Sequence, residues 1–525
     1  MPGRAAAFDV VIRGLVLFLV IAAPLALGTV TPWPLALFHW TCVLLGLAWL
    51  LRAVWVPPFG GDHSTRPAGA LGRWRLFGHP VAATGLGLPV ALFIALTILQ
   101  VLPLPGALIR LVSPATARIQ ESSVPGLAVR GQADFSSTGS FLLGEREDAV
   151  VRRILEAPGP LPEGLSPDPY TARTISLYPY ATVSRLVLLL SLCIVFFVSL
   201  NIHTSPARIH GLLRLLVLFG FILALFGIVQ RLSWNGQIYW TIPVEASASP
   251  FGPFVNHNHF AAWIAMLVPI AVGMLMDEAR RLIPGGKATP PEGPEPRARL
   301  LLAAFTVGVM AAAVVLSGSR GAVLALLGAF VLYGGALVVQ GRIGKPETLV
   351  AAALIAVAIG LSFWLGAGPL AQKLRAIGDV ESEPSLFTRV LGYRATAEIV
   401  SHFPVLGTGL GTFPQAWKMV YPAGTSAVWH EAHNDYLQLL SEAGGAGFLI
   451  FLAALGIFMK RYVIPEILGR GEVESYAVHG AIVGITAVAL HSLVDFPLQI
   501  AGCSVLFVVL SATIVAWRQR MEATD

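Results

Sequence analysis

Charge is what this sequence has least of. Asp, Glu, Lys and Arg make up 12% of its 525 residues, against 55% apolar ones, where soluble domains carry roughly 25% charge. That balance argues against a water-soluble fold. Cysteine is scarce as well. Cys42, Cys193 and Cys503 each lie inside an apolar run, so they read as small buried hydrophobes and not as a disulfide or zinc framework. No internal repeat, long low-complexity tract or soluble domain is visible, and the Pro/Gly-rich 284–296 reads as a linker. The net charge of +6 carries no nucleic-acid inference, because Lys and Arg in a membrane protein first report orientation.

What is present is a series of apolar runs of about 20 residues, the length that crosses roughly 30 Å of hydrocarbon. They fall near 14–31, 34–51, 81–101, 182–201, 211–230, 257–276, 300–316, 321–340, 347–366, 435–459, 476–494 and 500–517. The expected fold is all-α: a single polytopic membrane domain over 1–525 with about twelve transmembrane helices. The first run follows Arg4 and Arg13 like a secretory signal, but the spans behind it make it a retained anchor. With the N-terminus inside, the inner segments hold 20 Lys and Arg and the outer ones 15. Thirteen of those 15 lie in two long outer loops, 103–180 with its approach to the next span and 367–434, and long loops translocate largely regardless of charge. Only Arg231 and Arg320 sit in short outer loops against the positive-inside rule, so each is a candidate for a function that needs a cation there.

The loop 103–180, rich in Pro, Gly, Ser and Thr, suggests a partly ordered surface cap. In 367–434, Leu386, Val390, Tyr393, Ala397 and Val400 recur at helical spacing until Pro404. This predicts an amphipathic helix at the outer membrane surface. The chemistry-bearing stretch is Trp429-His430-Glu431-Ala432-His433-Asn434-Asp435-Tyr436, which leads into the tenth span. Asn434 and Asp435 are explained about equally by helix capping and by substrate contact. His433 neither caps well nor buries comfortably. A histidine that takes a proton near neutral pH, beside a helix N-terminus able to hold an anion, is the minimal equipment for transfer onto a hydroxyl with a phosphate leaving group.

Arginines form the second cluster. Arg320, flanked by Gly318 and Gly321, and Arg389 and Arg394 on the loop helix could meet a diphosphate with their forked donors. An ion pair with Glu398, four residues on, explains Arg394 equally well. Asn256-His257-Asn258-His259 opens the sixth span. His257 and His259, two apart, point to nearly opposite faces of a helix, which suits polar capping or sugar contact better than a metal pair. His491 and Asp495 read as a structural polar pair. Gly444, Gly445 and Gly447 lie within a span and suit close helix packing, not a phosphate loop.

Several of these segments together resemble the O-antigen ligase and polymerase superfamily of bacterial envelope glycosyltransferases. His433-Asn434, followed after nine residues by Gly444 and Gly447, is similar to that family's ligase signature. Leu316-Ser317-Gly318-Ser319-Arg320-Gly321-Ala322, the segment from Arg389 through His402 to Phe413, and His491-Ser492-Leu493-Val494-Asp495-Phe496 also look familial. The resemblance covers roughly 80–515 and is densest from 300 to 447, within a ligase-signature core at 300–460. It implies a glycosyltransferase C-like membrane fold in the bacterial inner membrane with a periplasmic active site. The activity implied is metal-independent, inverting transfer of a polyprenyl-diphosphate-linked glycan to a lipid-linked or glycan acceptor, without cofactor, metal or nucleic acid. His433 then matches the essential loop histidine and Arg320, Arg389 and Arg394 the loop arginines, while Asn434, Asp435, His257, His259 and Arg231 are candidate substrate contacts.

Polymerisation of repeat units is the alternative within the same superfamily. A polysaccharide transporter is a rival of another class, but transporters place ionisable groups near the bilayer midplane, often in repeated halves, and here polar groups collect at the outer rim. A non-catalytic assembly partner is a further rival, against which the intact histidine and arginines argue. The topology is directly testable. A cysteine introduced at position 415 of a cysteine-free variant is expected to react with a membrane-impermeant maleimide in intact spheroplasts, and protection until lysis would overturn the outward assignment of 367–434.

Overall fold

The computed structural model describes residues 2–56, 75–77, 79–123, 173–203, 205–245, 248–281, 296–341, 384–420, 429–469 and 473–524. Among the described residues, fifteen α-helices of seven residues or more follow in chain order: α1 (Pro2–Leu25), α2 (Pro32–Trp55), α3 (Gly87–Val101), α4 (Gly106–Val112), α5 (Pro114–Ser123), α6 (Pro179–Ile202), α7 (Pro206–Leu232), α8 (His257–Arg280), α9 (Pro296–Leu316), α10 (Arg320–Val339), α11 (Pro384–His402), α12 (Phe413–Val420), α13 (Asp435–Phe458), α14 (Tyr476–His491) and α15 (Ala501–Thr524). Proline is the opening residue of α1, α2, α5, α6, α7, α9 and α11, where its fixed φ is already helical and its missing N–H has no intrahelical partner to lose. The described strands are two short antiparallel pairs, Arg75–Leu76 with His79–Pro80 and Gln237–Ile238 with Ile242–Pro243.

Nine described helices are long and apolar enough to cross a membrane, and two more, α3 and α14, are apolar but shorter. The chain is therefore an all-α, multi-pass membrane protein. Eleven of the twelve predicted spans coincide with a helix; the run near 347–366 lies outside the described residues. Of the stretch 103–180, residues 106–123 form α4 and α5, and 124–172 lie outside the described residues.

Two compact units divide the chain. The first comprises 1–87, 188–379 and 456–525, and the second 88–187 and 380–455. The core of the first unit is built on α8, which is buried from His259 through Ala271. Its closest partner is α14. A Cβ at Gly484 would lie 2.2 Å from the Met266 carbonyl oxygen, at Gly480 2.3 Å from that of Pro269, and at Gly273 2.1 Å from that of Tyr476. Helix association in lipid depends on this kind of close backbone approach, because lipid tails are as apolar as the side chains and burial supplies little drive.

Contacts in the first unit sort the helix ends into two sets. Asp9 accepts from Arg52 Nε at 2.6 Å and from Arg208 Nη2 at 3.1 Å, Arg280 donates to the Val473 carbonyl at 2.7 Å, and Gln519 donates to the Ala83 carbonyl at 3.0 Å. All of these groups lie at ends assigned to the inner side. At the opposite ends, the Tyr239 hydroxyl donates to the Leu25 carbonyl at 2.6 Å, and Phe254 packs on Gly28. Alternate loops thus meet as a chain crossing back and forth requires.

The second unit holds α3, α4, α5, α11, α12, the first turns of α6 and most of α13. Ala395, Ile399, Phe403, Phe413, Ala416, Trp417 and Ala432 form its apolar centre. The predicted loop helix exists as α11, but its buried stripe is Gly392, Ala395, Thr396 and Ile399, while Val390 and Ala397 are exposed. The periodicity had picked out larger apolar side chains. The tightest contact on the packed face is made by a small residue instead, Gly392, against which Trp429 lies.

The α8–α14 contact yields a stability prediction. Alanine is worth about 1 kcal/mol more than glycine in an unhindered helix interior, so Gly334→Ala in α10, where a Cβ meets nothing within 4 Å, should be neutral or stabilising. Gly480→Ala and Gly484→Ala should instead lose about 1–3 kcal/mol to overpacking. Thermal unfolding in detergent, followed by size-exclusion fluorescence, should show a lowered midpoint for both and not for Gly334→Ala.

Candidate functional site

The second unit gathers most of the predicted residues around the start of α13. Asn434 is the helix cap: its side-chain oxygen accepts from the amides of Tyr436 and Leu437, each at 3.0 Å. Asp435, the first helical residue, is buried. Immediately before the cap, His433 adopts φ 51°, a left-handed backbone that side chains other than glycine enter at a cost of about 1–3 kcal/mol and keep only where the surroundings enforce it. Its carbonyl accepts from the Tyr393 hydroxyl at 3.1 Å. Its ring meets the edge of Trp429 at 5.2 Å, and Trp429 in turn stacks on Trp417 at 5.0 Å. Gly392 of α11 leaves room for Trp429, since a Cβ there would sit 2.4 Å from the indole.

This packing orders the two α11 arginines. At about 100° per residue, Arg389 shares a face with Gly392 and Tyr393, the residues that touch Trp429 and His433. Arg389 is half-buried. Arg394 is exposed, and among the described residues no ion pair joins it to Glu398. The helix thus turns Arg389, more than Arg394, toward the His433 segment.

The remaining predicted residues belong to the first unit. Arg320 is the exposed first residue of α10; Gly318 before it has φ 79°, and Ser319 caps the helix. Gly321 lies against the His491 ring, 3.1 Å from where its Cβ would stand. His491 and Asp495 are both buried with Nε2 and Oδ2 3.8 Å apart, longer than a hydrogen bond. Arg231 is exposed in the last turn of α7. His257 and His259 serve different neighbours. His257 Nδ1 is 2.7 Å from the Ser249 hydroxyl, while His259 turns inward against Phe496 at 4.9 Å. Asn256 supplies the cap of α8, accepting from Asn258 N at 2.8 Å.

A set of buried polar residues in the second unit goes beyond the sequence reading. At Gly444, φ 64° and ψ −173° break α13, and the turn Pro404–Thr412 runs alongside the break. Thr408 and Gly409 donate to the carbonyls of Ser441 and Glu442 at 3.0 and 2.9 Å, and Gly445 and Ala446 donate to those of Pro404 and Val405 at 2.8 and 3.0 Å. Gly407, Gly409 and Gly411 all have positive φ, which makes this turn possible. From α3, Gln100 donates to the carbonyls of Leu406 and Glu442 at 2.7 and 2.9 Å. Glu442 is 3% exposed, and its carboxylate accepts from Gly411 N at 2.8 Å and Phe413 N at 3.1 Å. Gln438 donates to Glu442 at 3.2 Å and also to Glu431, which accepts from Arg185 Nη2 at 3.1 Å.

The glycines at 444 and 447 do pack closely, as read, but Gly444 also ends the first half of the helix. The signal that could have found the network was available. Residues 431, 438 and 442 are spaced seven and four apart, on one helical face, and a carboxylate inside a predicted span is a functional or structural flag by itself.

Residues 305–452 match the family model described as O-antigen ligase. The match takes in Arg320, Arg389, Arg394, His433, Asn434, Asp435 and Glu442, and leaves out Arg231, His257 and His259. No curated protein matches the chain.

Proposed function

We propose, from the match of residues 305–452 to the O-antigen ligase family model, transfer of a polyprenyl-diphosphate-linked glycan to an acceptor sugar on the outer, periplasmic face of the bacterial inner membrane. The observation that carries the reading is His433. It is held in a strained backbone conformation at the head of α13, beside the α11 face that bears Arg389. An acceptor hydroxyl attacks the anomeric carbon from the side opposite the diphosphate, so the new C–O bond inverts the centre. His433 accepts the hydroxyl proton, and the anomeric C–O bond breaks with its electron pair moving to the departing diphosphate.

Arg389 and the N-terminus of α13 supply positive potential for that leaving group. Arg394 adds charge from the exposed side of the same helix. Arg320 is assigned the same charge role on the family match, which spans it, and on its exposed place at the N-terminus of α10. Arg231 and His257 are assigned to sugar binding, whereas Asp435 and His259 are buried and the oxygen of Asn434 is committed to its cap.

General-base assistance is typically worth about 10²–10⁴ in rate, so His433→Ala should lose that much turnover while remaining folded. Gln at 433 keeps a hydrogen bond but takes no proton, and should fail as badly; His430→Ala should be mild. The assay is glycan transfer from purified lipid-linked donor in nanodiscs, and near-normal turnover by His433→Gln would remove the base role. In the same assay Arg389→Ala and Arg320→Ala should each cost about 10²-fold or more, with Lys recovering part because it keeps the charge but lacks the fork. Arg394→Ala should cost less than about tenfold, because α11 turns Arg394 away from the face that meets Trp429 and His433. Equal losses at Arg389 and Arg394 would contradict the ranking read from α11.

A further inference from the structure

We propose that Gln438, gripped by Glu431 and Glu442, is a positioning residue that sets the backbone of His433. The inference rests on the reading of His433 as the proton acceptor. A residue at φ 51° has to be held on both sides, because it would otherwise relax to an ordinary region. On the C-terminal side the restraints are the Tyr393 hydroxyl on the His433 carbonyl and the Asn434 cap. On the N-terminal side the restraint is the amide of Ala432, which donates to Gln438 Oε1 at 3.0 Å.

That bond requires the Gln438 amide to face one way. Flipped, it would present its NH₂ to the Ala432 N–H. The two carboxylates fix the direction: the Gln438 nitrogen donates to Glu442 Oε1 at 3.2 Å and to Glu431 Oε2, so only its oxygen is left for Ala432. Each carboxylate is anchored in turn. Arg185 holds Glu431, while the amides of Gly411 and Phe413 hold Glu442. Gln438 is 1% exposed and out of reach of a substrate, so any effect on transfer must pass through what it holds. The Gly-rich turn Gly407–Gly411 is thereby linked to His433 through Glu442, Gln438 and Ala432.

The test compares Gln438→Met, which keeps length and loses both polar ends, with Gln438→Asn, which keeps the amide but withdraws it by one methylene. Both are purified in nanodiscs, and rates are expressed per monodisperse protein. A displacement of about 1 Å at a catalytic group costs about 10²-fold. The expected result is therefore a kcat about 10–100-fold lower with KM little changed, and a displaced acid limb in the pH profile of kcat. A second readout needs no turnover: carbethoxylation of His433 by diethyl pyrocarbonate, followed by mass spectrometry across pH, should shift in rate or midpoint in both variants.

Wild-type kcat, or a lowered kcat with an unchanged His433 carbethoxylation profile, would overturn the proposal, the second because Gln438 would then act elsewhere. If Met abolishes folding, the Asn variant decides alone. Failure of the underlying reading looks different. His433→Ala would transfer normally, while the Gln438 variants would still alter the reactivity of His433 toward the reagent.

Discussion

A helix broken inside a membrane segment exposes carbonyl and amide groups that hydrocarbon cannot solvate, at several kcal/mol for each one left unmatched. At Gly444 this protein meets that constraint with its own backbone. The turn from Pro404 to Thr412 supplies donors to the carbonyls of Ser441 and Glu442 and acceptors to the amides of Gly445 and Ala446, and Gln100 fills in with its side-chain amide. Most of the second unit follows from this. The turn must be glycine-rich to run so close, Phe413 must begin α12 where the turn ends, and the first half of α13 is fixed as a rigid piece with its N-terminus at His433.

The strain at His433 is intelligible on that footing. A left-handed residue between a loop and a helix cap persists only if the chain on both sides of it is tied. Here the ties come from opposite directions, a hydroxyl on α11 and an amide on α13 itself. The ring is then packed edge-on to Trp429, whose own place depends on Trp417 and on the missing side chain at Gly392. None of these groups needs to touch substrate to decide where the imidazole points. Orientation of this kind is what separates a histidine able to take a proton along the line of attack from one merely nearby.

The spans were legible because hydrophobic length is the one property a bilayer imposes on every crossing helix, and eleven of them reappear as helices near the expected bounds. Helix caps were legible where Asn256 and Asn434 stand before apolar runs. The packed face of α11 was not, since it is set by the fit of Gly392 against Trp429, a tertiary contact, and not by the size of its apolar side chains. The environment of His433 was only half legible. Its neighbours in sequence drew attention to the segment, but Tyr393, Gln438 and Glu442 reach it through tertiary contacts. Gln438 and Glu442 were absorbed into the tenth span by its overall hydropathy, although their spacing with Glu431 was there to be read.

The buried Glu442 raises the question of why a carboxylate occupies a membrane helix at all, since a well-packed apolar residue often serves stability as well as a buried charge. Its surroundings give the answer. The amides of Gly411 and Phe413 and the side chain of Gln438 all point donors at it, and an apolar substitute would orphan them, each at about 1–3 kcal/mol. Glutamine would fare little better, because its NH₂ end would face another N–H. Only a group that accepts at both oxygens satisfies all three donors, so the carboxyl group is retained for geometry and not as a source of net stability. The same logic explains Glu431, whose Arg185 partner balances it and leaves its second oxygen for Gln438. Two carboxylates sharing one amide is a costly arrangement for anchoring a helix. It makes sense where the orientation of that amide, and of the peptide it holds, is what the site requires.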